Sequence, residues 1–240
     1  MNTFGIFDQD GTLFDSENPL YELCDKGCEE VISERFNIPR SEILDLSTRP
    51  EGASVTNAIT QWEKENPEKS ELAEAYRQLY TEGKPVMYQE KVLPYIEVPE
   101  AVEALLEISG ATGIGTQSEK EIIDILRAKY PWYDRLTNFG YHAVGGNPEK
   151  RRKKPSPDIY NTLMERMGAL GPLTFGVEDS KTGVEALLAA RDSRNQPVGQ
   201  IYMLGRLPGQ VAALSALDSI ERNRIEVLPT MKDVIEVLNR

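Results

Sequence analysis

The stretch Phe7-Asp8-Gln9-Asp10-Gly11-Thr12-Leu13 follows an apolar run that begins at Phe4. In an extended chain, the i, i+2 spacing of Asp8 and Asp10 points both carboxylates to the same side. Gly11 allows a sharp turn directly after them, because a residue without a Cβ atom tolerates left-handed dihedral angles. Two neighbouring acids repel each other, and a nearby cation stabilises their ionised forms. The stretch therefore predicts a strand that ends in a cation site or in an acid with a shifted pKa; a polar turn with incidental acids is the alternative.

The composition is that of a globular protein with an acidic surface. Of its 240 residues, 40% are hydrophobic and 28% are charged, which is enough for a core and an accessory unit. Asp and Glu number 39 against 27 Lys and Arg, and the formal net charge of −12 would repel a phosphate backbone, so we expect no nucleic acid partner. No apolar run approaches the ~20 residues of a membrane span, and we expect no leader, because Asp8 interrupts the first apolar run. We expect a cytoplasmic protein, monomeric or dimeric, that does not bind a membrane.

The region after the acidic turn has a helical and polar pattern without a convincing strand. Its apolar residues recur at helical spacing, and turn residues such as Asn66-Pro67 separate the candidate helices. Gly83 and Pro85 are expected to end the third of them. We therefore predict an all-helical insertion over residues 16–92. The predicted helices are Tyr21–Phe36, Glu51–Trp62 and Ser70–Tyr80.

From Val98 onward, strand and helix patterns alternate. This alternation is typical of a doubly wound, parallel α/β sheet. We predict that residues 1–15 and 93–240 form this core, and that Ser118 and Glu121 form a capping box at the start of a helix. The predicted strands are Ala111–Gly115, Phe139–Val144, Leu173–Val177 and Gly199–Leu204, and the predicted helices are Val98–Ile108, Lys120–Lys129, Pro157–Met167, Gly183–Ala190 and Thr230–Leu238.

Polar residues follow three of the predicted strands. Asp8 and Asp10 follow the first strand, Thr116 follows another, and the pair Glu178-Asp179 follows a third. Ligands of such sheets bind beyond the carboxyl ends of the strands, so we expect these groups to converge. Four carboxylates in one cleft require a cation, and carboxylates together with waters suit Mg²⁺.

These residue types fit phosphoryl transfer. The Asp8 carboxylate is ionised at neutral pH and needs no base in order to attack phosphorus. Asp10 could protonate the leaving alcohol and later activate water. Lys154 supplies a positive charge for phosphate oxygens, and Thr116 a hydrogen-bond donor. Taken singly, Thr116 could be a helix cap and Lys154 one charge of the solvated run Lys150–Lys154; their shared placement favours the site.

Four motifs of the chain resemble those of haloacid dehalogenase superfamily hydrolases with a helical cap. The resemblance covers nearly the whole chain and lies in the branch of phosphoglycolate phosphatase-like and β-phosphoglucomutase-like proteins. It implies a Rossmann-like core with the cap inserted after Ser16. The motifs are Asp8-Gln9-Asp10-Gly11-Thr12-Leu13, Thr116-Gln117, Lys154-Pro155-Ser156-Pro157-Asp158-Ile159-Tyr160 and Gly176-Val177-Glu178-Asp179-Ser180-Lys181-Thr182-Gly183-Val184-Glu185-Ala186.

The resemblance implies a role for each matching residue. Asp8 is the expected nucleophile, which forms an aspartyl-phosphate, and Asp10 is the expected acid and base. Mg²⁺ is expected on Asp8, the carbonyl of Asp10 and Asp179, with Glu178 as a ligand or as a support behind the ligands. The residues expected to bind the phosphate group are Gly11, Thr116, Gln117 and Lys154. Gln117 departs from the family, where Asn is commoner, and Arg191–Asn195 lacks the glycine that the family usually has there.

Substrate choice is expected to lie in the helical insertion. Arg49, in the loop Ser47–Gly52, is the candidate for a second anchor, because a guanidinium binds phosphate or carboxylate with a fork; an exposed loop arginine is the alternative. The preferred function is a phosphatase for a small phosphorylated metabolite, such as a sugar phosphate. A phosphosugar mutase is disfavoured because Leu20 stands where such mutases carry a histidine. A dehalogenase is disfavoured because it needs neither Asp10 nor Mg²⁺, and a non-catalytic phosphometabolite-binding protein stays open.

Cys24, Cys28 and His142 receive no catalytic role. The two cysteines have i, i+4 spacing and are interpreted as reduced thiols on one helix face, because a zinc site needs more ligands than the sequence offers nearby. His142 is interpreted as a strand residue.

Overall fold

The computed structural model of the protein describes residues 3–46, 54–136, 141–143 and 152–240, with only the backbone described for 141–143. The chain divides into two compact units. The core unit comprises Met1–Phe14 and Pro94–Arg240, and the helical unit comprises Asp15–Leu93. Among the described residues, no helix is long and apolar enough to cross a membrane.

A six-stranded sheet with the order β5-β4-β1-β6-β7-β8 forms the centre of the core unit, and every neighbouring pair in it is parallel. The predicted doubly wound α/β fold is therefore confirmed. Phe7 pairs with Ile114 on one side and with Val177 on the other, so the carboxyl ends of β4, β1 and β6 lie at the same edge. The strands are β1 (Thr3–Phe7), β2 (Phe14–Asp15), β3 (Leu93–Pro94), β4 (Ser109–Thr116), β5 (Tyr141–Ala143), β6 (Thr174–Glu178), β7 (Gln200–Leu204) and β8 (Ile225–Leu228), of which β2 and β3 form a separate two-stranded sheet.

The helical unit is built around a buried apolar cluster. Cys24 and Cys28 are free thiols in this cluster, which also contains Ile32, Ile59 and Tyr76. Because these side chains leave water together, burial of apolar area is the main force that holds the helices to one another. The helices are α1 (Glu17–Glu22), a π-helical segment (Leu23–Glu30), α2 (Val31–Phe36), α3 (Val55–Glu65) and α4 (Ser70–Glu90).

Helix α4 corrects the prediction that Gly83 and Pro85 end a helix near Tyr80, because it continues through both residues to Glu90. A proline in a helix interior destabilises it by roughly 3 kcal/mol. That cost is offset by the burial of Met87 and Tyr88, which lie beyond the proline on the same helix. Tertiary packing therefore outweighs the local sequence signal.

The helices of the core unit cover the sheet. A buried apolar cluster of this unit joins Ile6 of β1 with Tyr160, Leu187 and Ile201. The prediction of Val98–Ile108 has the observed bounds, whereas β8, α7, α10 and α11 were not predicted from the sequence. The helices are α5 (Val98–Ile108), α6 (Lys120–Lys129), α7 (Pro131–Leu136), α8 (Asp158–Met167), α9 (Lys181–Ala189), α10 (Pro208–Ala213), α11 (Ser219–Arg222) and α12 (Met231–Leu238).

The predicted capping box of Ser118 and Glu121 is wrong. Helix α6 has Glu119 at its N-cap and no side-chain hydrogen bond there. The Ser118 hydroxyl donates to Asp10 Oδ2 instead, at 2.7 Å, so it is not available to the helix. Other bounds move by a few residues: α3 begins at Val55 with Ser54 as its cap, and Ser180 caps α9.

Candidate active site

The elements of the core unit bring most of the predicted site residues to one edge of the sheet. Asp8 directly follows β1, Thr116 ends β4, and Glu178 ends β6. Lys154 lies in the segment before α8, and its side chain is only 5% exposed. The backbone N–H of Asp8 donates to the carbonyl of Val177 at 3.0 Å, which fixes the end of β1 against β6.

Lys154 joins two carboxylates of this edge. Its Nζ donates to Asp8 Oδ1 at 2.5 Å and to Glu178 Oε1 at 2.6 Å. Its ammonium also lies 5.0 Å from the ring centroid of Tyr160, at a distance at which the face of an aromatic ring attracts a cation. A buried charge is tolerated only when paired, so Lys154 and the two acids are held as one group.

Glu178 is fully buried and accepts hydrogen bonds on both oxygens. Oε1 accepts from Lys154 and from the Tyr160 hydroxyl. Oε2 accepts from the Ser180 hydroxyl at 3.2 Å and from the backbone N–H of Asp179 at 3.3 Å. Two donors on each oxygen use the lone pairs of the carboxylate, so Glu178 is suited to hold its neighbours in place.

Asp8, Glu178 and Asp179 form a buried acidic cluster whose ligand atoms all lie within 4.8 Å of one another. When all three carboxylates are ionised, their negative charge exceeds the positive charge of the Lys154 ammonium that contacts them. Oxygen donors of this kind are the ligands that hard divalent cations prefer. The residues present therefore fit a divalent cation.

The turn after β1 holds Asp179 in this cluster. Gly11 has φ +83°, and a Cβ atom there would lie 2.0 Å from Asp179 Oδ2. The Thr12 hydroxyl donates to Asp179 Oδ1 at 3.3 Å. Glycine is thus required at position 11 both by its backbone conformation and by the close approach of a carboxylate.

The electrostatics of the cluster raise the pKa of two acids. Burial is the main cause that raises the pKa of Asp8 to about 7, with Lys154 opposing it and Glu178 adding to it. Burial, Asp8 and Glu178 raise the pKa of Asp179 well above its usual range. Burial alone would lower the pKa of Lys154, but the two partner carboxylates outweigh it and raise that pKa. A cation bound to the cluster would lower the pKa of both acids.

Asp10 lies beside the cluster and has its own donors. Its Oδ2 accepts from Ser118 Oγ at 2.7 Å and from Gln9 Nε2 at 3.1 Å. Thr116 Oγ1 in turn accepts from the backbone N–H of Ser118 at 3.0 Å. Within the described residues, the acidic group suited to a metal does not include the Asp10 carboxylate.

The remaining predicted site residues are Gln117 and Arg49. Gln117 follows β4 at the same edge and is half-buried. Arg49, with the loop Ser47–Gly52, lies outside the described residues. The sequence predicted no part in the site for four residues that contribute hydrogen bonds to it, Ser118, Gln9, Tyr133 and Tyr160. The signal that could have found Gln9 is its place between the two aspartates that end the first strand.

Comparison with known proteins identifies the family of the chain. The sequence model of the family described as "Haloacid dehalogenase-like hydrolase" matches residues 5–191, which is most of the chain. The chain belongs to the haloacid dehalogenase-like hydrolase family. The family predicted from the motifs is thus confirmed, and with it the prediction of a hydrolase-type enzyme.

Relatives of this haloacid dehalogenase-like hydrolase include curated phosphatases. The chain is 28% identical over 185 residues to a phosphoglycolate phosphatase of Aquifex aeolicus, covering 75% of this chain and 78% of the relative. It is 27% identical over 187 residues to a phosphorylated carbohydrates phosphatase of Thermotoga maritima, covering 77% and 80%. A solved structure from Lactobacillus plantarum, described as a phosphoglycolate phosphatase, has the same fold with a TM-score of 0.69 at 17% identity, covering 99% of this chain and 100% of that one.

Proposed function

We propose that this protein is a Mg²⁺-dependent phosphatase that hydrolyses a small phosphorylated metabolite through an aspartyl-phosphate on Asp8. The observation that carries the proposal is the pairing of Asp8 with Lys154 at 2.5 Å inside an acidic cluster with Asp179. Such a group combines a nucleophilic carboxylate, a fixed positive charge and oxygen ligands for a cation. The names of the two curated relatives support the reaction class.

In the first step, an oxygen of the Asp8 carboxylate attacks phosphorus and forms the new P–O bond. The bond between phosphorus and the leaving oxygen breaks, and its electron pair goes to that oxygen. Asp10 donates a proton to the leaving oxygen, which departs as an alcohol. Lys154 holds Asp8 in place and offers its positive charge to the phosphate oxygens.

In the second step, water replaces Asp8 on phosphorus. Asp10, now ionised, takes a proton from the attacking water, and the P–O bond to Asp8 breaks with its electron pair returning to the carboxylate. Inorganic phosphate leaves, and Asp10 is again protonated for the next turnover. The sum is one ester and one water converted to one alcohol and one phosphate, and no redox partner is needed.

The cation would be held by Asp8, Asp179 and the carbonyl of Asp10. Bound Mg²⁺ would offset the repulsion between these acids and an incoming phosphate. Glu178 is assigned a supporting role, because each of its oxygens already accepts two hydrogen bonds. From this position it orients Lys154 and the segment that presents Asp179.

Phosphate recognition is assigned to Lys154, Thr116, Gln117 and the backbone at Gly11. Arg49 stays a proposal for a second anchor on the substrate, such as a carboxylate or another phosphate. The partner is therefore a small phosphorylated metabolite, and the acidic composition disfavours nucleic acid. The cytoplasmic location and the monomeric or dimeric state also stay predictions.

The experiment that tests this proposal is phosphate release from hexose phosphates, 2-phosphoglycolate and p-nitrophenyl phosphate, each with Mg²⁺ and with EDTA. We expect release that depends on Mg²⁺ and is fastest on one metabolite. Release that is equally fast in EDTA would overturn the metal assignment.

The same assay separates the alternatives. Absence of phosphate release on every compound, together with isomerisation of a hexose 1-phosphate, would favour a phosphosugar mutase. Absence of both reactions, with retained binding of a phosphometabolite, would favour a non-catalytic binding protein.

A further inference from the structure

A buried glutamine lies between the two catalytic aspartates. Gln9 is fully buried, and a buried side-chain amide is destabilising unless its donors and acceptor find partners. Its Oε1 accepts from the Tyr133 hydroxyl at 2.6 Å, and its Nε2 donates to Asp10 Oδ2 at 3.1 Å. One amide thus connects helix α7 to the residue assigned to proton transfer.

Asp10 and Tyr133 together set the orientation of this amide. The Tyr133 ring is fully buried and packs edge-on against Phe14 at 5.3 Å and Trp132 at 5.8 Å between ring centroids. A ring held on two sides places its hydroxyl at a fixed point. An ionised carboxylate only accepts hydrogen bonds, so the NH₂ group of Gln9 must face Asp10, and the Tyr133 hydroxyl then donates to Oε1 and holds the amide in that orientation.

Two donors converge on a single oxygen of Asp10. Gln9 and Ser118 both donate to Oδ2, and this oxygen then has no lone pair left for a proton. In the protonated acid, Oδ2 is therefore the carbonyl oxygen and Oδ1 carries the proton. We propose that Gln9, oriented by Tyr133, is a positioning residue that works with Ser118 to direct the Oδ1 proton of Asp10 at the leaving group.

The inference rests on the proposed function, since it concerns how Asp10 delivers its proton. A misdirected acid matters only when the leaving group needs a proton. An alkyl phosphate releases a strongly basic alkoxide and depends on the acid, whereas p-nitrophenolate is stable as an anion and departs without it. A loss of kcat/KM that is larger for the alkyl phosphate than for p-nitrophenyl phosphate is therefore a result that a purely structural role of Gln9 would not produce.

The test compares kcat/KM for the fastest alkyl phosphate of the panel above with kcat/KM for p-nitrophenyl phosphate, in Mg²⁺. The variant Gln9→Met keeps an unbranched side chain of similar length and removes both hydrogen bonds. We expect a loss of about tenfold on the alkyl phosphate and of less than about threefold on p-nitrophenyl phosphate. Tyr133→Phe should reproduce this pattern in weaker form, because it frees the amide without removing it.

Two further variants control for folding. Gln9→Met removes the Oε1 atom that accepts from the Tyr133 hydroxyl, so the double variant Gln9→Met/Tyr133→Phe removes both partners of this hydrogen bond together. Like Gln9→Met, the double variant should lose more kcat/KM on the alkyl phosphate than on p-nitrophenyl phosphate, since both changes act through one amide. Thr112→Val is the matched control: it removes a buried hydrogen bond of 3.1 Å from β4 to the Leu136 carbonyl of the same helix α7. It should affect both esters equally, and thermal unfolding of each variant checks its fold.

Asp10→Asn separates failure of this inference from failure of the proposed function. The proposed function and the inference are both overturned if the wild type releases no phosphate. They are also both overturned if Asp10→Asn lowers kcat/KM equally on the alkyl phosphate and on p-nitrophenyl phosphate. If Asp10→Asn discriminates and folded Gln9→Met or the double variant loses both activities equally, or loses neither, the positioning role alone is overturned.

Discussion

Each unit of the protein buries a tyrosine hydroxyl beside a glutamate, but the two pairs differ in their surroundings. In the core unit, Glu178 accepts from Tyr160 and also from the buried Lys154 at 2.6 Å. In the helical unit, the Tyr76 hydroxyl donates to Glu29 Oε1 at a long 3.4 Å. The first pair is part of a dense charged network, and the second is a weakly bonded polar contact in an apolar core.

The neighbours of the two pairs explain the contrast. Glu29 lies 3.4 Å from Arg40, whose side chain is 44% exposed, and water screens most of that attraction. Glu178 is joined by Asp8 and Asp179, which one lysine does not neutralise. A buried excess of charge is destabilising for the fold, and it is therefore expected where function requires it. We therefore expect chemistry at the core pair and a structural role for the helical one.

The largest expected effect is that of Asp8→Asn. Loss of the nucleophile should lower kcat by at least about 10³-fold while the thermal unfolding temperature does not fall, because a buried charge is removed. The measurement is phosphate release with Mg²⁺, with circular dichroism for the fold. Glu29→Gln in the helical unit is the matched change of acid to amide and should retain turnover. Turnover near the wild-type value in Asp8→Asn would contradict the mechanism.

The second effect is a pH dependence of stability. The folded-state pKa of Asp8, about 7, lies above its ordinary 3.8, so the stability that it contributes is full below about pH 3.8 and lost as pH rises through 7. This loss is on the order of a few kcal/mol in metal-free protein. Mg²⁺ binds the ionised acids, so it should raise the unfolding temperature more at about pH 8 than at about pH 5. Equal shifts at both pH values would argue against a cation in this cluster.

The third effect compares two helical glycines. A Cβ atom at Gly183 would lie 1.9 Å from the Glu178 carboxylate, whereas one at Gly83 would lie 2.5 Å from the end of the flexible Leu23 side chain. Alanine improves helix propensity by up to about 1 kcal/mol at both positions. We expect Gly183→Ala to lower kcat about tenfold, because it displaces the carboxylate that orients Lys154. Gly83→Ala should leave kcat unchanged. A similar loss of kcat in both variants would show that the helical unit affects turnover as much as the surroundings of Glu178 do.

The smallest effect comes from the tyrosine hydroxyls themselves. Tyr160→Phe removes one of the four donors described for Glu178 and should lower kcat only several-fold, because the other three donors still hold the carboxylate. Tyr76→Phe removes a weaker bond and should change only the free energy of unfolding, by less than the roughly 0.5–1.5 kcal/mol of one hydrogen bond. Steady-state kinetics and urea unfolding of both variants check this. A larger catalytic effect of Tyr76→Phe would show that the helical pair takes part in turnover.

The sequence was a good guide where local pattern decides structure. Helix Val98–Ile108 was predicted with its observed bounds, because its apolar residues repeat at helical spacing. The end predicted for α4 near Tyr80 was wrong, because burial of Met87 and Tyr88 outweighs the breaking tendency of Gly83 and Pro85. Strand β8 was missed, since four residues, Ile225–Leu228, are too few to show a period. The helix-breaking propensities of Gly83 and Pro85 therefore gave a wrong helix end where tertiary burial opposed them.

The sequence by itself determined which chemical groups the site contains. Two aspartates at a strand end, a glycine turn and a lysine before a helix limit the chemistry through their type and local spacing. Only the tertiary structure decided which donor faces which oxygen. Lys154 meets Asp8 across 146 positions of sequence, Tyr133 meets Gln9 across 124, and Ser118 meets Asp10 across 108. No local pattern encodes such hydrogen bonds, because they depend on how distant strands and helices pack against one another.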